Sequence, residues 1–235
     1  MSRQLRVLVV IPAYNEASVI AQTVADTKKV FAKQPYNTTI VVIDDKSRDD
    51  TAAKARKAGA TVVSHIINQG AGGATSTGLS YAKQRDADYV ITMDADGQHD
   101  PKDALECLKQ AMKADTDLLI GSRLLSKTGM SGVKTIGNKG LTFITWILFG
   151  VNITDSQSGL RIFSKRALDV LEWKSTSYDF CSEMIWRAKQ AKLDIAEHPI
   201  QAIYTDYSRA KGQSNWNGIN IVRSLIYRKL VEFLG

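Results

Sequence analysis

Cysteine is scarce: the 235 residues hold two, Cys107 and Cys181, and neither belongs to a CxxC pair. That count excludes a disulfide framework and a structural zinc site, and a reducing cytosol is the expected compartment. Only 4 prolines and 16 glycines are present, too few for a collagenous or proline-rich disordered chain. No run of eighteen apolar residues occurs, and the greasiest stretch, 141–151, is about half of the ~20 residues that span a bilayer. Residues 1–10 lack the apolar core of a signal peptide and lead straight into a strand pattern, so neither a leader nor a spanning helix is expected. Negative charge is the minority sign: 24 Asp and Glu face 31 Lys and Arg, a net charge of +7. Nucleic acid, an anionic membrane surface or a phosphate-rich substrate could each answer that surplus.

What is present has a clear rhythm. Near-continuous apolar runs at 5–11, 39–43, 60–64 and 89–93 have the pattern of strands buried on both faces. Segments 16–32, 49–58 and 72–83 between them predict helices. This alternation implies a doubly wound, mainly parallel α/β sheet with flanking helices and right-handed crossovers. Further on, the pattern predicts a strand at 117–121, helices at 137–149 and 179–190, a short strand at 197–202 and a last helix at 218–233. No repeat or long linker interrupts it, so one domain over 1–235 is expected.

In such sheets ligands bind beyond the carboxyl ends of the strands. Polar clusters stand at four of those ends: 12–16, 44–45, 68–73 and 94–99. In Asp94-Ala95-Asp96-Gly97-Gln98-His99, an extended backbone would aim Asp94, Asp96 and Gln98 the same way, at one hard cation such as Mg²⁺ or Mn²⁺. A helix cap explains Asp100-Pro101 but not the carboxylates before it. Ser47 or Asp49 would likewise cap the next helix, leaving Asp44 free to accept hydrogen bonds from a base or ribose. The small residues of 68–73 open a helix whose N-terminus favours anions, without a Walker A or GxGxxG pattern.

Taken in order, Pro12-Ala13-Tyr14-Asn15-Glu16, Val42-Ile43-Asp44-Asp45, Asn68 with Gly70 and Gly73, and Asp94-Ala95-Asp96 resemble an inverting family 2 glycosyltransferase with the nucleotide-sugar-binding GT-A fold. The resemblance covers nearly the whole chain. It implies that Pro12, Tyr14 and Glu16 line the nucleotide pocket with Asn68 and Gly73, that Asp44 contacts the base, and that Asp94 and Asp96 serve ribose, metal and diphosphate. The Asp-Ala-Asp-Gly-Gln-His form, Gly121-Ser122-Arg123 and Asp155 to Arg161 narrow the likeness to dolichyl- or polyprenyl-phosphate sugar synthases. There Arg123 and Lys139 would grip the acceptor phosphate, the lysine as a point charge. Arg209, Lys211 and Ser214, in a basic loop, would close over the sugar diphosphate. The resemblance divides the chain into a donor half (1–115), an acceptor half (116–214) and a C-terminal amphipathic helix (215–235).

Two acceptors remain open. A phosphomonoester, with a second pKa of about 6, is already a nucleophile, whereas a saccharide hydroxyl would need a base, for which Asp155 is the candidate. Uridine diphosphate glucose or N-acetylglucosamine is the first expectation for the donor, with GDP-mannose next. The apolar segment 141–149 reads as a mainly buried helix in which Trp146 or Phe149 could meet a bilayer. The expected location is cytoplasmic, peripheral on the inner face of the membrane, with a small membrane-anchoring protein as a further partner. Basic residues are spread among acids rather than gathered in a stripe, so no nucleic-acid partner is expected.

Overall fold

A computed structural model describes residues 3–126, 140, 142–143, 146–147, 150–176, 179–201 and 203. The first four apolar runs are strands β1 (Arg6–Ala13), β2 (Asn37–Asp44), β3 (Thr61–Ser64) and β4 (Tyr89–Thr92). Helices α1 (Ile20–Phe31), α2 (Thr51–Lys57) and α3 (Gly70–Gln84) connect them, and α4 (Pro101–Ala114) follows. Then come β5 (Leu118–Ser122), β6 (Arg161–Ser164), α5 (Lys165–Val170), α6 (Phe180–Gln190) and β7 (Ile195–Pro199).

The strands form one sheet in the order β3-β2-β1-β4-β6-β5-β7. All pairs are parallel except those of β6, which runs antiparallel to both β4 and β5. The sheet is thus mainly parallel, as expected, but β6 and α5 fall where the sequence pattern predicted neither. β7 begins two residues before the predicted strand. Most of the predicted helix 137–149, and the whole of 218–233, lie outside the described residues.

Alternation along β1 builds a core on each face. Val7, Val9 and Ile11 join the cluster formed with α1, α2 and α4, while Leu8 and Val10 face α3, α5 and α6. β4 pairs with β1 only as far as Val10↔Thr92, so β1 continues alone on that side. Pro12 therefore lies beyond the β4 ladder and carries the chain toward the cleft. α1 begins at Ile20 rather than at the predicted residue 16, and the amides of Glu16 and Ala17 before it donate to Thr51 Oγ1 and Asp49 Oδ2, which ties this entry loop to the start of α2. At α4, Asp100 caps the helix by accepting from the Lys102 amide, with Pro101 at the first helical position.

Gly78 brings α3 against β1. A Cβ there would stand 2.1 Å from Val10 Cγ1, a short branched side chain with little room to turn away. Gly78→Ala is expected to destabilise the fold by about 1–3 kcal/mol, as overpacking does. Urea unfolding checks this, and an unchanged midpoint would show that α3 can retreat from the sheet.

Candidate active site

The carboxyl ends of β1 and β2 are laced together. Asn15 N donates to Ser47 Oγ (3.0 Å) and Arg48 N to Asn15 Oδ1 (2.8 Å), while Glu16 N donates to Thr51 Oγ1 (2.8 Å). Asn15 and Lys46 adopt left-handed φ values of 55° and 64°, which sharpens both turns. Asp44 ends β2, is buried, and accepts from the Ser47 amide at 3.2 Å. Ser47 therefore ties two loops together instead of capping a helix, whereas Asp49 takes the Thr51 amide. Burial pushes the Asp49 carboxyl up, but hydrogen bonds from Thr51 and Ala17 outweigh it and hold the group below its ordinary value. Tyr14 is exposed and Glu16 buried on either side of this turn.

One expectation needs correcting. The N-terminus of α3 is not open to an anion, because the buried Asp45 carboxylate already occupies it. Its Oδ1 accepts from Gln69 N (2.7 Å) and its Oδ2 from Gly70 N (2.8 Å), while His65 Nδ1 stands 2.7 Å from Oδ1 and Asn68 Nδ2 donates to the Asp45 carbonyl (2.9 Å). Asn68 is thereby committed to the loop's own backbone. Gly73 is buried, and a Cβ there would meet Gln69 Cβ at 2.7 Å; at Gly72 it would meet the Ser175 carbonyl at 2.4 Å. The protein's own chain makes the close approaches for which these glycines leave room.

The segment 94–99 is a turn, not an extended strand. Gly97 takes φ +76°, and Gln98 folds back so that its amide nitrogens donate to Asp96. Asp94, Asp96 and Gln98 are thus gathered by a turn rather than by strand alternation. Asp94 lies open, with 52% of its side-chain surface accessible, and its Oδ2 accepts from His99 Nε2 at 3.0 Å. The His99 ring is buried, and its Nδ1 has no hydrogen-bond partner among the described residues. Thr23 in α1 ties the turn down by donating to the Ala95 carbonyl at 2.9 Å.

Desolvation by the surrounding cleft, open though the side chain is on one side, pushes the Asp94 carboxyl up, but the hydrogen bond and field of His99, with the charges of Arg123 and Arg161, hold it below its ordinary value. Asp96 goes the other way: burial and then the charge of Asp94 raise it, partly offset by Gln98 and His99. Two crowded carboxylates of this kind favour a cation between them. Among the described residues no three His, Cys, Asp or Glu side chains are placed together to hold a metal ion. Two carboxylates and an amide carbonyl nevertheless suit Mg²⁺ or Mn²⁺, which usually take one or two protein carboxylates and complete their shell with phosphate and water.

Opposite this turn stands a second cluster. Arg123, just past β5, makes a bidentate pair with Asp155: Nε to Oδ2 at 2.7 Å and NH2 to Oδ1 at 2.9 Å, with the Arg123 amide on Oδ2 at 3.1 Å. The Asp155 side chain is fully buried, whereas the Arg123 side chain keeps 18% of its surface. Gly159 presses on Asp94, so that a Cβ there would lie 2.3 Å from Oδ1. Arg161 is buried in β6, donating to the Ser156 carbonyl (2.9 Å) and stacked over Phe180, with its Nε unpartnered among the described residues. Neither cysteine is a nucleophile: both are buried, and burial pushes Cys107 up to about 12 and raises Cys181 as well.

The structure therefore brings Asp94, Asp96 and Gln98 into one turn, Arg123 onto Asp155, and Asp44 beside the laced loop next to Pro12, Tyr14 and Glu16. Lys139, Phe149, Arg209, Lys211 and Ser214 lie outside the described residues. Sequence reasoning missed Asp45 as an anchor, His99, Thr23, Gly159 as a spacer, and Glu197. Glu197 accepts from Thr154 N (2.8 Å), Thr154 Oγ1 (2.9 Å) and Asp155 N (3.1 Å).

The mainly parallel seven-stranded sheet, with its carboxylate turn beyond the strand ends, has the GT-A fold of nucleotide-sugar transferases. The profile of glycosyl transferase family 2 matches residues 8–171, and the chain belongs to that family. It is 36% identical over 250 residues to the UDP-N-acetylglucosamine–dolichyl-phosphate N-acetylglucosaminyltransferase of Methanococcus voltae, covering 97% of this chain and 98% of that protein. It is 30% identical over 229 residues to the undecaprenyl-phosphate mannosyltransferase of Micrococcus luteus, covering 91% and 88%. Glucosyl-3-phosphoglycerate synthase of Mycobacterium tuberculosis, solved with Mn²⁺, UDP and glucosyl-3-phosphoglycerate, shares the fold with a TM-score of 0.73 at 18% identity, over 97% of this chain and 79% of that one. The protein is a glycosyltransferase resembling the polyprenyl-phosphate sugar synthases.

Proposed function

We propose that the protein transfers a sugar from a nucleotide diphosphate sugar to a polyprenyl-phosphate carrier, with inversion at the anomeric carbon. The observation that carries this reading is the burial of Asp155. With no accessible surface and both oxygens engaged by Arg123, it is not free to take a proton from a saccharide hydroxyl. A phosphate acceptor needs no base, and Arg123 offers it a guanidinium held in place. The names of the Methanococcus and Micrococcus relatives, both transferases to a polyprenyl phosphate, support the same acceptor.

In this scheme an acceptor phosphate oxygen attacks the anomeric carbon from the face opposite the diphosphate. The new C–O bond forms as the old one breaks, and its electron pair leaves with the nucleoside diphosphate. Asp94 and Asp96, with the Gln98 carbonyl, would hold Mg²⁺ or Mn²⁺, which neutralises charge developing on the leaving diphosphate. Asp44, Tyr14, Glu16 and Pro12 would receive the nucleoside, with Asn68 and Gly73 shaping the neighbouring loop. Lys139 would add a second charge at the acceptor phosphate, and Arg209, Lys211 and Ser214 would close over the donor. Rate enhancement comes from positioning and electrostatics rather than proton transfer.

Among the described residues no helix is long and apolar enough to cross a membrane. Segment 141–149, expected to be mainly buried, instead exposes Phe143, Trp146 and Ile147, with Phe143 and Trp146 ring centroids 5.8 Å apart. That exposure supports peripheral attachment to a membrane surface; the inner face, and a small anchoring protein beside it, belong to the proposal.

The test is a thermal-shift screen of UDP-N-acetylglucosamine, UDP-glucose and GDP-mannose with Mn²⁺ or Mg²⁺, followed by transfer to a polyprenyl phosphate in detergent. One donor is expected to raise the melting temperature only with metal and to yield a polyprenyl-phosphate sugar. Stabilisation by none, or transfer to a free saccharide instead, overturns the proposal.

A further inference from the structure

Glu197 sits in β7, opposite Ile120 of β5. Its carboxylate accepts three hydrogen bonds, all from residues 154 and 155. No ion pair to it occurs among the described residues, so its charge is directed entirely at this loop. Hydrogen bonds to an ionised acceptor are about twice as strong as neutral ones, and three of them fix the direction in which Asp155 leaves the backbone. The Thr154 hydroxyl extends the network, lying 2.6 Å from Ser122 Oγ. Ser122 Oγ in turn accepts from the amides of Leu124 (3.2 Å) and Leu125 (3.3 Å). The two chain segments that carry Asp155 and Arg123 are therefore locked to each other twice: by their own ion pair, and behind it by Ser122, Thr154 and Glu197.

We propose that Glu197 is the positioning residue of the acceptor-phosphate site, setting the Arg123 guanidinium through Thr154 and Asp155. This rests on Arg123 meeting the acceptor phosphate. Glu197 touches no substrate in this scheme. Without it the 154–155 loop is free to shift, Asp155 carries Arg123 with it, and the guanidinium loses its aim at the phosphate. Donor binding, which belongs to the opposite carboxylate turn, stays as it was.

The experiment compares Glu197→Ala, Glu197→Gln, Thr154→Val and Arg123→Lys, with the acceptor KM for a short-chain polyprenyl phosphate in detergent read beside the affinity for UDP with Mn²⁺. Lysine at 123 keeps the charge that Asp155 needs but loses the bidentate fork. Glu197→Ala is expected to raise the acceptor KM by about tenfold or more, with nucleotide affinity within about twofold. Glu197→Gln falls between, because one of its two terminal atoms still accepts. On an Arg123→Lys background, Glu197→Ala adds little, since two steps of one path do not sum.

An unchanged acceptor KM in Glu197→Ala beside a raised one in Arg123→Lys overturns the role of Glu197 and leaves the phosphate site intact. Fully additive effects in the double variant do the same, since they mark a merely structural residue. An unchanged KM in Arg123→Lys overturns the phosphate reading, and the role of Glu197 with it. Should Glu197→Ala fold poorly, Thr154→Val, which removes one hydroxyl at constant shape, carries the same KM prediction.

Discussion

Gly159→Ala is expected to lower the kcat/KM for transfer by about 10²-fold or more while leaving the protein folded. The new Cβ would stand 2.3 Å from Asp94 Oδ1 and 2.6 Å from Oδ2, closer than real Cβ contacts allow. Backbone retreat is resisted on the C-terminal side of the residue. The Gly159 carbonyl accepts from Thr92 Oγ1 at 2.9 Å, and the Leu160 carbonyl accepts from the Gly121 amide at 2.9 Å, which fixes the entry into β6. The carboxylate must yield instead, and in doing so it strains the bond from His99. A displacement of about 1 Å at a reacting centre is enough for a loss of this size. Because Asp94 opens to the cleft, it can swing outward without disturbing the core, so the melting temperature should hold. Steady-state kinetics, Mn²⁺ titration and thermal unfolding together check the claim. Full activity in Gly159→Ala would mean that the position of Asp94 is not what the reaction depends on.

Much of the N-terminal half was legible in the sequence because its information is local. A parallel strand buried on both faces must be mostly apolar, and the runs ending at Ile11, Ile43 and Met93 are; the run ending at Ser64 departs from the expected double burial, because β3 is an edge strand whose Thr61 and Ser64 are exposed. A polar cluster directly after such a run can only sit at the carboxyl end of the sheet, which is why Asp44, Asp94 and Asp96 stood out. β6 could not be read the same way. It has four residues, begins with an arginine, and owes its place to antiparallel pairing with strands far away in sequence.

The misread details have two causes: side chains whose partners lie far along the chain, and a turn set by a single glycine. Asp45 resembles Asp44 in sequence, yet successive residues at a strand end point to opposite sides, so only one of the pair can serve the cleft. The other satisfied an α3 terminus that looked free. Asp94, Asp96 and Gln98 were expected to converge by strand alternation, whereas Gly97 turns the chain and brings Gln98 back onto Asp96. Glu197 is an ordinary strand glutamate by pattern. Its meaning lies 42 and 43 residues away, in the amides of Asp155 and Thr154.

Asp155→Asn separates the two acceptor chemistries. If Asp155 only positions Arg123, the amide keeps one accepting oxygen but turns an NH₂ group toward the guanidinium. The pair then loses charge assistance, about 1.5–3 kcal/mol for a hydrogen bond to a charged group. The expected result is an acceptor KM raised by about ten- to a hundredfold, a kcat lowered by less than about tenfold, and unchanged binding of UDP with Mn²⁺. A general base would behave otherwise: kcat would fall by about 10²–10⁴-fold at little cost in KM. The pH profile gives a second reading from the same variant. With a phosphate nucleophile, acceptor kcat/KM falls as pH drops below about 6, where the phosphomonoester takes up its second proton, and that limb persists in Asp155→Asn because it belongs to the substrate. A limb that vanished in the variant would return the proton to Asp155 and the acceptor to a hydroxyl. Burial of the carboxylate against Arg123 argues for the persistent limb, since a base without accessible surface cannot meet its substrate.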